Sequence, residues 1–250
     1  MMRNRRLLWV GLPLVAVLVG VGSACNFSKG TTQMAETNYF RIETPQGSMV
    51  LRLYDETPLH RDNFKKLVAE GTYDSTLFHR VMSGFMIQGG DVNSLDGDRM
   101  NDGSGDIGYT IPAEFRPDLF HKRGAIAAAR TPDNVNPNRE SSGSQFYIVH
   151  GTIFPDDVLE QMEKRLRQTI PDSAFAYSDE ARHAYKTVGG APILDMQYTV
   201  FGEIVEGIET VDTITRVVTP AGLGQSGMPQ PNNPIIPTWM VIRAMPEYEE

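Results

Sequence analysis

Apolar residues recur at every second position from Phe40 and again over residues 49–53, on either side of a Pro-Gln-Gly sequence. Alternation around a short glycine-containing segment predicts a β-hairpin. The apolar spacing then changes to three and four residues over positions 58–69, which predicts an amphipathic helix. Thr57 is expected to be the N-cap of this helix, and Gly71 is expected to end it.

Short apolar segments separated by loops rich in Gly, Pro and Asn follow along the rest of the chain. The segment 78–88 is strand-like on both sides of Ser83-Gly84, which is expected to form a turn. Three more segments have the composition of strands, namely residues 124–130, 141–149 and 239–244. A helix is predicted from Ile208, so the pattern indicates many short strands with few helices between them.

One stretch, residues 156–190, breaks this pattern. Its apolar residues have helical spacing from Val158 to Ile170, with acidic residues first and arginines later, an order that suits the helix dipole. Ser178 begins a second helix, which Gly189-Gly190 ends. We expect a two-helix insert that packs on the rest of the domain; an arm that binds a partner protein is the alternative.

The N-terminal residues have the pattern of an export signal. Three arginines precede an apolar run over residues 7–21, and small residues lead directly to Cys25. This predicts a bacterial lipoprotein signal peptide over residues 1–24, with cleavage before Cys25 and a lipid on its sulfur. Ordinary signal cleavage and an uncleaved membrane anchor are the alternatives. Residues 25–37 read as a flexible tether, so we expect a lipid-anchored protein of the bacterial cell envelope that faces the periplasm.

Composition limits the partners and the chemistry of the exported part. The 250 residues are 40% hydrophobic, which is enough for one sizeable core. Loss of the three N-terminal arginines moves the formal net charge from −8 to −11, which argues against nucleic acid as a partner. A single cysteine excludes an internal disulfide and a cysteine-rich metal site.

Three apparent motifs do not meet the requirements of the chemistry that they suggest. Residues 103–108 read Gly-x-Gly-x-x-Gly, but a polar loop precedes them and Pro112 follows, so no dinucleotide site is expected. The aspartates within 96–106 miss the spacing of a calcium loop, since Met100 stands where a ligand is needed. The serines within 141–144 lack a nucleophile elbow, and none of the five histidines is in a recognisable triad context.

The stretch from Phe78 to Asp91 carries several chemically distinct side chains close together. It reads Phe-His-Arg-Val, a short spacer, Phe-Met, one residue and Gln-Gly-Gly-Asp. Two later segments follow in order, Gly-Ser-Gln-Phe-Tyr-Ile at 143–148 and Leu-Asp-x-x-Tyr-x-Val-Phe-Gly at 194–202. Together these segments resemble the signature of the cyclophilin family of peptidyl-prolyl cis/trans isomerases.

The resemblance implies a mainly β fold, a closed eight-stranded antiparallel barrel over residues 38–246 that two helices cap, with residues 156–190 as an extra helical insert. It also implies a monomeric isomerase that accelerates rotation about X–Pro bonds in exported polypeptides and assists their folding, without metal, cofactor or covalent intermediate. A proline-peptide binding module or chaperone of the same fold with little turnover is the alternative.

By the same resemblance, Arg80 and Gln88 are the catalytic residues, and Gln88 and Gln145 would orient Arg80 and the substrate carbonyl. The backbone of Ala129 and Arg130 would pair with the bound peptide as an added strand. The residues that would form the proline pocket are Phe85, Met86, Tyr147 and Leu194, with Tyr198 at the rim.

The implied mechanism needs no nucleophile. Rotation about a peptide bond is hindered by about 18–20 kcal/mol because the nitrogen lone pair is delocalised. Arg80 stays charged and can direct N–H groups at the prolyl nitrogen, whose lone pair becomes free only as the bond twists.

Three positions depart from the family pattern. Tyr147 replaces the usual Phe, and Tyr198 replaces His. Ile193 replaces Trp, which removes an indole N–H donor.

Overall fold

The computed structural model describes residues 37–170, 174–225, 227 and 230–248. The strands in this part of the chain are β1 Tyr39–Thr44, β2 Gly47–Leu53, β3 Arg80–Met82, β4 Met86–Gly89, β5 Thr110–Ile111, β6 Ala125–Ala128, β7 Ser141–Ser142, β8 Phe146–Val149, β9 Val200–Glu206 and β10 Val241–Ala244. The α-helices described are α1 Pro58–Ala69, α2 Asp156–Thr169, α3 Asp179–Thr187 and α4 Ile208–Ile214.

Eight strands form one antiparallel sheet in the order β10-β1-β2-β9-β6-β8-β4-β3, and β5 pairs with β7. The predicted eight-stranded antiparallel sheet is confirmed, but the predicted closure into a barrel is not, because β3 and β10 do not pair with each other. A bridge between Leu77 and Trp239 joins the residues just before these two strands. Further along β3, Val81 N–H donates to the carbonyl oxygen of Asn232, a loop residue.

The main apolar core is shared by the sheet and by helices α1 and α4. Phe40, Leu51 and Ile126 from the strands are buried together with Phe64 of α1 and Val211 of α4. Burial of apolar side chains of this size stabilises the folded state by roughly 1.5–3 kcal/mol each. The two helices that were predicted to cap the barrel are therefore α1 and α4.

Helix α1 begins where the sequence predicted, but its capping group is different. The Thr57 side chain makes no cap hydrogen bond. Instead, the Glu114 carboxylate accepts from the backbone N–H groups of Leu59 and His60, both at 3.1 Å. Thr57 occupies the N-cap position, as predicted, but a carboxylate from a distant loop satisfies these N–H groups, and no local pattern reveals such a partner.

The insert, residues 156–190, contains α2 and α3 where the apolar spacing predicted helices. Ser178 caps α3 by accepting from the N–H of Ala181 at 3.1 Å. Backbone hydrogen bonds of 3.2 and 3.0 Å between Thr152 and Gly190 join the chain where it leaves and returns. The insert shares an apolar cluster with the main domain, which comprises Phe120, Leu159, Leu166, Ile170, Phe175, Tyr177, Ala181 and Tyr185. It is a packed helical hairpin.

The predicted signal peptide, Cys25 and all of the tether except Thr37 lie outside the described residues, so these assignments stay predictions. Within the described ranges, none of the helices has the length and hydropathy that a bilayer-spanning helix needs.

Candidate active site

Arg80 and Gln88 face each other across the antiparallel strands β3 and β4. The guanidinium Nη1 donates to Oε1 of Gln88 at 3.3 Å, and Cζ of Arg80 lies 6.0 Å from the centre of the Phe85 ring. Arg80 is half-buried, and this burial lowers the pKa of its guanidinium from the ordinary value. Because that ordinary value is so high, the group stays charged and keeps all its N–H donors.

The turn between these two strands is held by a residue from outside the hairpin. Gly84 has a φ of 76°, a conformation that favours glycine. Its backbone N–H donates to Nδ1 of His150 at 2.8 Å, and Nε2 of His150 lies 3.1 Å from Asp212. The sequence predicted the turn but gave no sign of His150. Since Phe85 follows the turn directly, its position depends on this anchor.

Gln88 belongs to a chain of hydrogen-bonded amides. Its Nε2 donates to Oε1 of Gln145 at 3.0 Å. Nε2 of Gln145 in turn donates to the carbonyl oxygens of Gly103 and Gly105 at 3.1 and 3.0 Å. Because carbonyl oxygens only accept, they fix the orientation of both amides, and Oε1 of Gln88 is left to face Arg80.

The residues predicted for the proline pocket lie together in one apolar cluster. Met86 and Tyr147 are buried, whereas Phe85, Leu194 and Tyr198 are half-buried. The rings of Tyr147 and Tyr198 meet edge to face with their centres 5.9 Å apart. The half-buried side chains offer an apolar surface to a ligand, and Phe85 connects this surface to Arg80.

The backbone of Ala129, which was predicted to pair with a bound peptide, already makes hydrogen bonds within the protein. Its backbone N–H donates to the carbonyl oxygen of Gln145 at 2.9 Å, and its own carbonyl oxygen accepts from Ser142 N–H at 2.8 Å. Its N–H is therefore not available to pair with a bound peptide, because Gln145, in the loop that leads into β8, already accepts it. The predicted pairing with an added strand then rests on Arg130.

The Arg130 side chain is almost completely buried and packs against the pocket residue Tyr198, with Cζ 4.6 Å from the ring centre. Its Nε donates to the carbonyl oxygen of Gln197 at 2.8 Å, and Nη1 donates to Asp133 at 2.6 Å. These bonds turn the charge away from the ligand surface, so the side chain supports the rim of the pocket.

Two adjoining cavities open at this site. One of about 390 Å³ has Gln88, Ala129 and Gln145 in its wall. The other, of about 340 Å³, has Arg80 and Gln88 in its wall. Gln88 and Arg130 line both cavities, so the two cavities form one groove that runs past the guanidinium of Arg80.

Behind Tyr147, three buried side chains that the sequence reasoning did not assign to the site form a hydrogen-bonded row. Tyr147 Oη is 2.9 Å from Nε2 of His121, and Nδ1 of His121 is 2.7 Å from Oδ1 of Asp195. Oδ2 of Asp195 accepts from the hydroxyl of Tyr185 at 2.6 Å. Asp195 follows Leu194 in a recognised motif and could have been singled out; His121 and Tyr185 carried no such signal.

A Ser-His-Glu arrangement does occur in the structure, contrary to the expectation that no histidine has a triad context. Nε2 of His60 lies 2.9 Å from Oγ of Ser141, and Nδ1 lies 2.7 Å from Glu114. Ser141 is only 1% exposed, and the cavity at His60 holds about 10 Å³. A substrate carbonyl has no room there, so the arrangement is structural. Among the described residues, no group of three or more His, Cys, Asp or Glu side chains is placed to hold a metal ion.

Ile193 does not lie with the proline pocket. It is half-buried and packs against the cluster of the insert, as Met196 does. The position that often carries Trp in the family therefore contacts the insert in this chain.

Comparison with known proteins identifies the family. Residues 39–238 match the family model described as "Cyclophilin type peptidyl-prolyl cis-trans isomerase/CLD". A Staphylococcus epidermidis protein assigned as a peptidyl-prolyl cis-trans isomerase is 32% identical over 176 residues, which are 70% of this chain and 79% of the relative. A Staphylococcus aureus protein with the same assignment is 33% identical over 177 residues, with the same two coverages.

Solved structures agree on the fold. A cyclophilin-type peptidyl-prolyl cis-trans isomerase from Cryptosporidium parvum is similar with a TM-score of 0.57 and 24% identity, covering 84% of this chain and 99% of that one. A cyclophilin from Hirschia baltica gives a TM-score of 0.52 at 19% identity, covering 85% and 75% of the two chains. The chain belongs to the cyclophilin family, and its activity is that of a peptidyl-prolyl cis-trans isomerase.

Proposed function

We propose that Arg80 supplies the catalysis of this isomerase by stabilising the twisted X–Pro bond. As the bond rotates, the prolyl nitrogen regains a lone pair that can accept a hydrogen bond. A charged donor at that nitrogen stabilises the twisted state more than either planar isomer, and this difference is what accelerates the reaction. The observation that carries the proposal is the half-buried guanidinium held between Gln88 and the Phe85 ring.

The surrounding residues would bind and orient the substrate. The proline ring fits the half-buried surface of Phe85, Leu194 and Tyr198, above the buried Met86 and Tyr147. Gln88 and Gln145 would hold the guanidinium and meet the substrate carbonyl, and the backbone of Arg130 would pair with the peptide. None of these roles needs a covalent step, because the reaction breaks no bond.

A protease-coupled isomerisation assay on a short proline peptide tests the role of Arg80. Arg80→Ala should lower kcat at least about tenfold while KM changes little, since the interaction is made in the twisted state. Arg80→Lys should restore little of this loss, because an ammonium lacks the planar fork of donors. Arg243→Ala removes an exposed cation paired with Asp74 and should keep the wild-type kcat. An unchanged kcat in Arg80→Ala would exclude the mechanism.

We further propose that the protein acts as a monomer on exported polypeptides in the bacterial cell envelope, facing the periplasm and held by a lipid on Cys25. The basic and apolar segments that precede Cys25 support this proposal. In detergent-phase partitioning, the wild-type chain should enter the detergent phase and Cys25→Ser should stay in the aqueous phase. Equal partitioning of the two would contradict the lipid anchor. Light scattering of Cys25→Ser should give the mass of one chain.

A further inference from the structure

The row Tyr147, His121, Asp195 and Tyr185 has one consistent assignment of donors and acceptors. The Asp195 carboxylate only accepts, so it takes the N–H at Nδ1 of His121 and the O–H of Tyr185. It also accepts from the backbone N–H of His121 at 2.9 Å. With an N–H at Nδ1, His121 can accept the O–H of Tyr147 at Nε2.

These groups are shielded from water, which makes each bond depend on the next. His121 and Tyr185 are 0% exposed, and Tyr147 and Asp195 are 4% exposed. Burial raises the pKa of both tyrosine hydroxyls well above the ordinary value, so both remain protonated donors. A buried acceptor that loses its donor finds no water to replace it.

The two ends of the row belong to different parts of the protein. Tyr147 lies on β8 and in the apolar cluster of the proline pocket. Tyr185 lies on α3 of the insert, where its ring meets Phe120 and Tyr177 with centres 5.7 and 5.5 Å apart. The hydroxyl of Tyr147 is the group that the family's usual Phe lacks, so the connection depends on a tyrosine at both ends.

The backbone between the two parts is closely fitted. A Cβ placed at Gly190 would lie 2.6 Å from Cε1 of Tyr185 and closer still to the carbonyl oxygen of His121. The next residue, Ala191, donates its N–H to that same oxygen at 2.8 Å. The end of the insert therefore lies directly against the residue that contacts Tyr147, and only glycine fits there.

We propose that Tyr185 is a positioning residue for the proline pocket, through which the insert holds the Tyr147 ring by way of Asp195 and His121. This inference rests on the pocket assignment made under the proposed function. The Tyr147 ring would contact the proline equally in planar and twisted states, so releasing it weakens binding and leaves turnover nearly unchanged. The insert then sets substrate affinity without touching the substrate.

Kinetics of four full-chain variants on one proline peptide test this proposal. They are Tyr185→Phe, Tyr177→Phe, Tyr147→Phe and the double variant Tyr147→Phe/Tyr185→Phe. Tyr185→Phe removes only the hydroxyl and should raise KM about three- to tenfold, the effect of one net hydrogen bond, with kcat within about twofold. Tyr177→Phe is the matched control, because its hydroxyl is also buried in the insert but donates to the carbonyl oxygen of Pro192 at 2.8 Å. It should leave KM within about twofold.

The Tyr147→Phe background separates positioning from a general loss of stability. Without the Tyr147 hydroxyl the row no longer reaches the pocket, so Tyr185→Phe should not raise KM further. An equal rise of KM in both backgrounds, or in Tyr177→Phe and Tyr185→Phe alike, would overturn the proposal.

Arg80→Ala in the same assay separates the catalytic role of Arg80 from the positioning role of Tyr185. An unchanged kcat there counts against the catalytic site, whereas the Tyr185 comparison decides the role of the insert.

Discussion

The side-chain amide of Gln88 donates to that of Gln145 over 3.0 Å, so the residue opposite Arg80 is oriented by a residue of the loop that leads into β8. Gln145 is buried and holds its own orientation through the carbonyl oxygens of Gly103 and Gly105. The direction of the Gln88 oxygen, and hence the placement of Arg80, is decided by backbone groups two hydrogen bonds away.

We therefore expect Gln145→Leu to impair both folding and catalysis. The two glycine carbonyls lose their donor, which should lower the free energy of unfolding by about 1–3 kcal/mol. Because Gln88 loses its partner as well, kcat/KM should fall about tenfold. Urea unfolding and the isomerisation assay measure the two effects, and the exposed Gln225→Leu is the control. Full activity in a destabilised Gln145→Leu protein would show that Arg80 does not depend on this amide chain.

The cap of α1 gives a second prediction. Burial raises the pKa of the Glu114 carboxyl, but hydrogen bonds from His60 and Leu59 outweigh it and leave that pKa below its usual value. Glu114→Ala should lower the free energy of unfolding by about 1–3 kcal/mol at pH 7, because it leaves helix N–H groups unpaired. In the described part of the chain, Oγ1 of Thr57 is buried without a hydrogen-bond partner, so Thr57→Val should change stability by less than about 0.5 kcal/mol. The opposite order of the two effects in urea unfolding would show that the Thr57 side chain, and not Glu114, stabilises the start of the helix.

His79 gives a pH dependence whose sign follows from its environment. Burial lowers the pKa of His79 from the ordinary value near 6.5, although the carboxylates of Asp91 and Asp102 oppose the shift. As pH falls through about 6.5, His79 binds a proton in the unfolded chain but not in the folded one. Protonation therefore favours the unfolded chain, and stability is lost. Between pH 7 and 5.5 the wild type should lose up to about 1 kcal/mol more than His79→Gln. If the unfolding free energies of the wild type and His79→Gln fell equally across that range, His79 would not be the source of the pH dependence.

The apolar cluster of the insert gives a fourth prediction. Leu166 on α2 is fully buried there, so Leu166→Ala should destabilise the insert by about 2–5 kcal/mol. Amide hydrogen exchange should rise over residues 156–187 more than over β1 and β2, because the cluster is separate from the main core. Arg165→Ala, an exposed neighbour, should leave exchange unchanged. A uniform rise throughout the sheet would mean that the insert and the sheet unfold as one unit.

Elements with a regular local pattern could be predicted from the sequence, because periodicity records which face of a strand or helix is buried. The hairpin of β1 and β2, helix α1 and both helices of the insert lie where the spacing placed them. Arg80, Gln88 and Gln145 are also brought together, since all three lie in segments that resemble a known signature.

Several features that the sequence did not reveal involve buried polar groups whose partners are distant along the chain. Glu114 caps a helix that begins more than fifty residues earlier. His121 contacts Asp195 across 74 positions, and Asp195 then meets Tyr185 of the insert. Local patterns indicate that a polar residue is buried, but the tertiary fold determines which group pairs with it. Ile193 was matched to the family's Trp by sequence resemblance, which does not show that the cluster of the insert provides its neighbours.

The first and last strands along the chain, β1 and β10, lie side by side in the sheet, with Phe40 opposite Ala244 and Ile42 opposite Ile242. During synthesis, β1 can pair with β2 early, but its other edge stays open until nearly the whole domain has left the ribosome. Contacts so distant in sequence raise the contact order and slow folding, because the entropy of closing the chain must be offset before the pairing stabilises it. The last short strand, Val241–Ala244, therefore controls when the sheet is finished, and chains truncated before it would expose an unpaired, aggregation-prone edge.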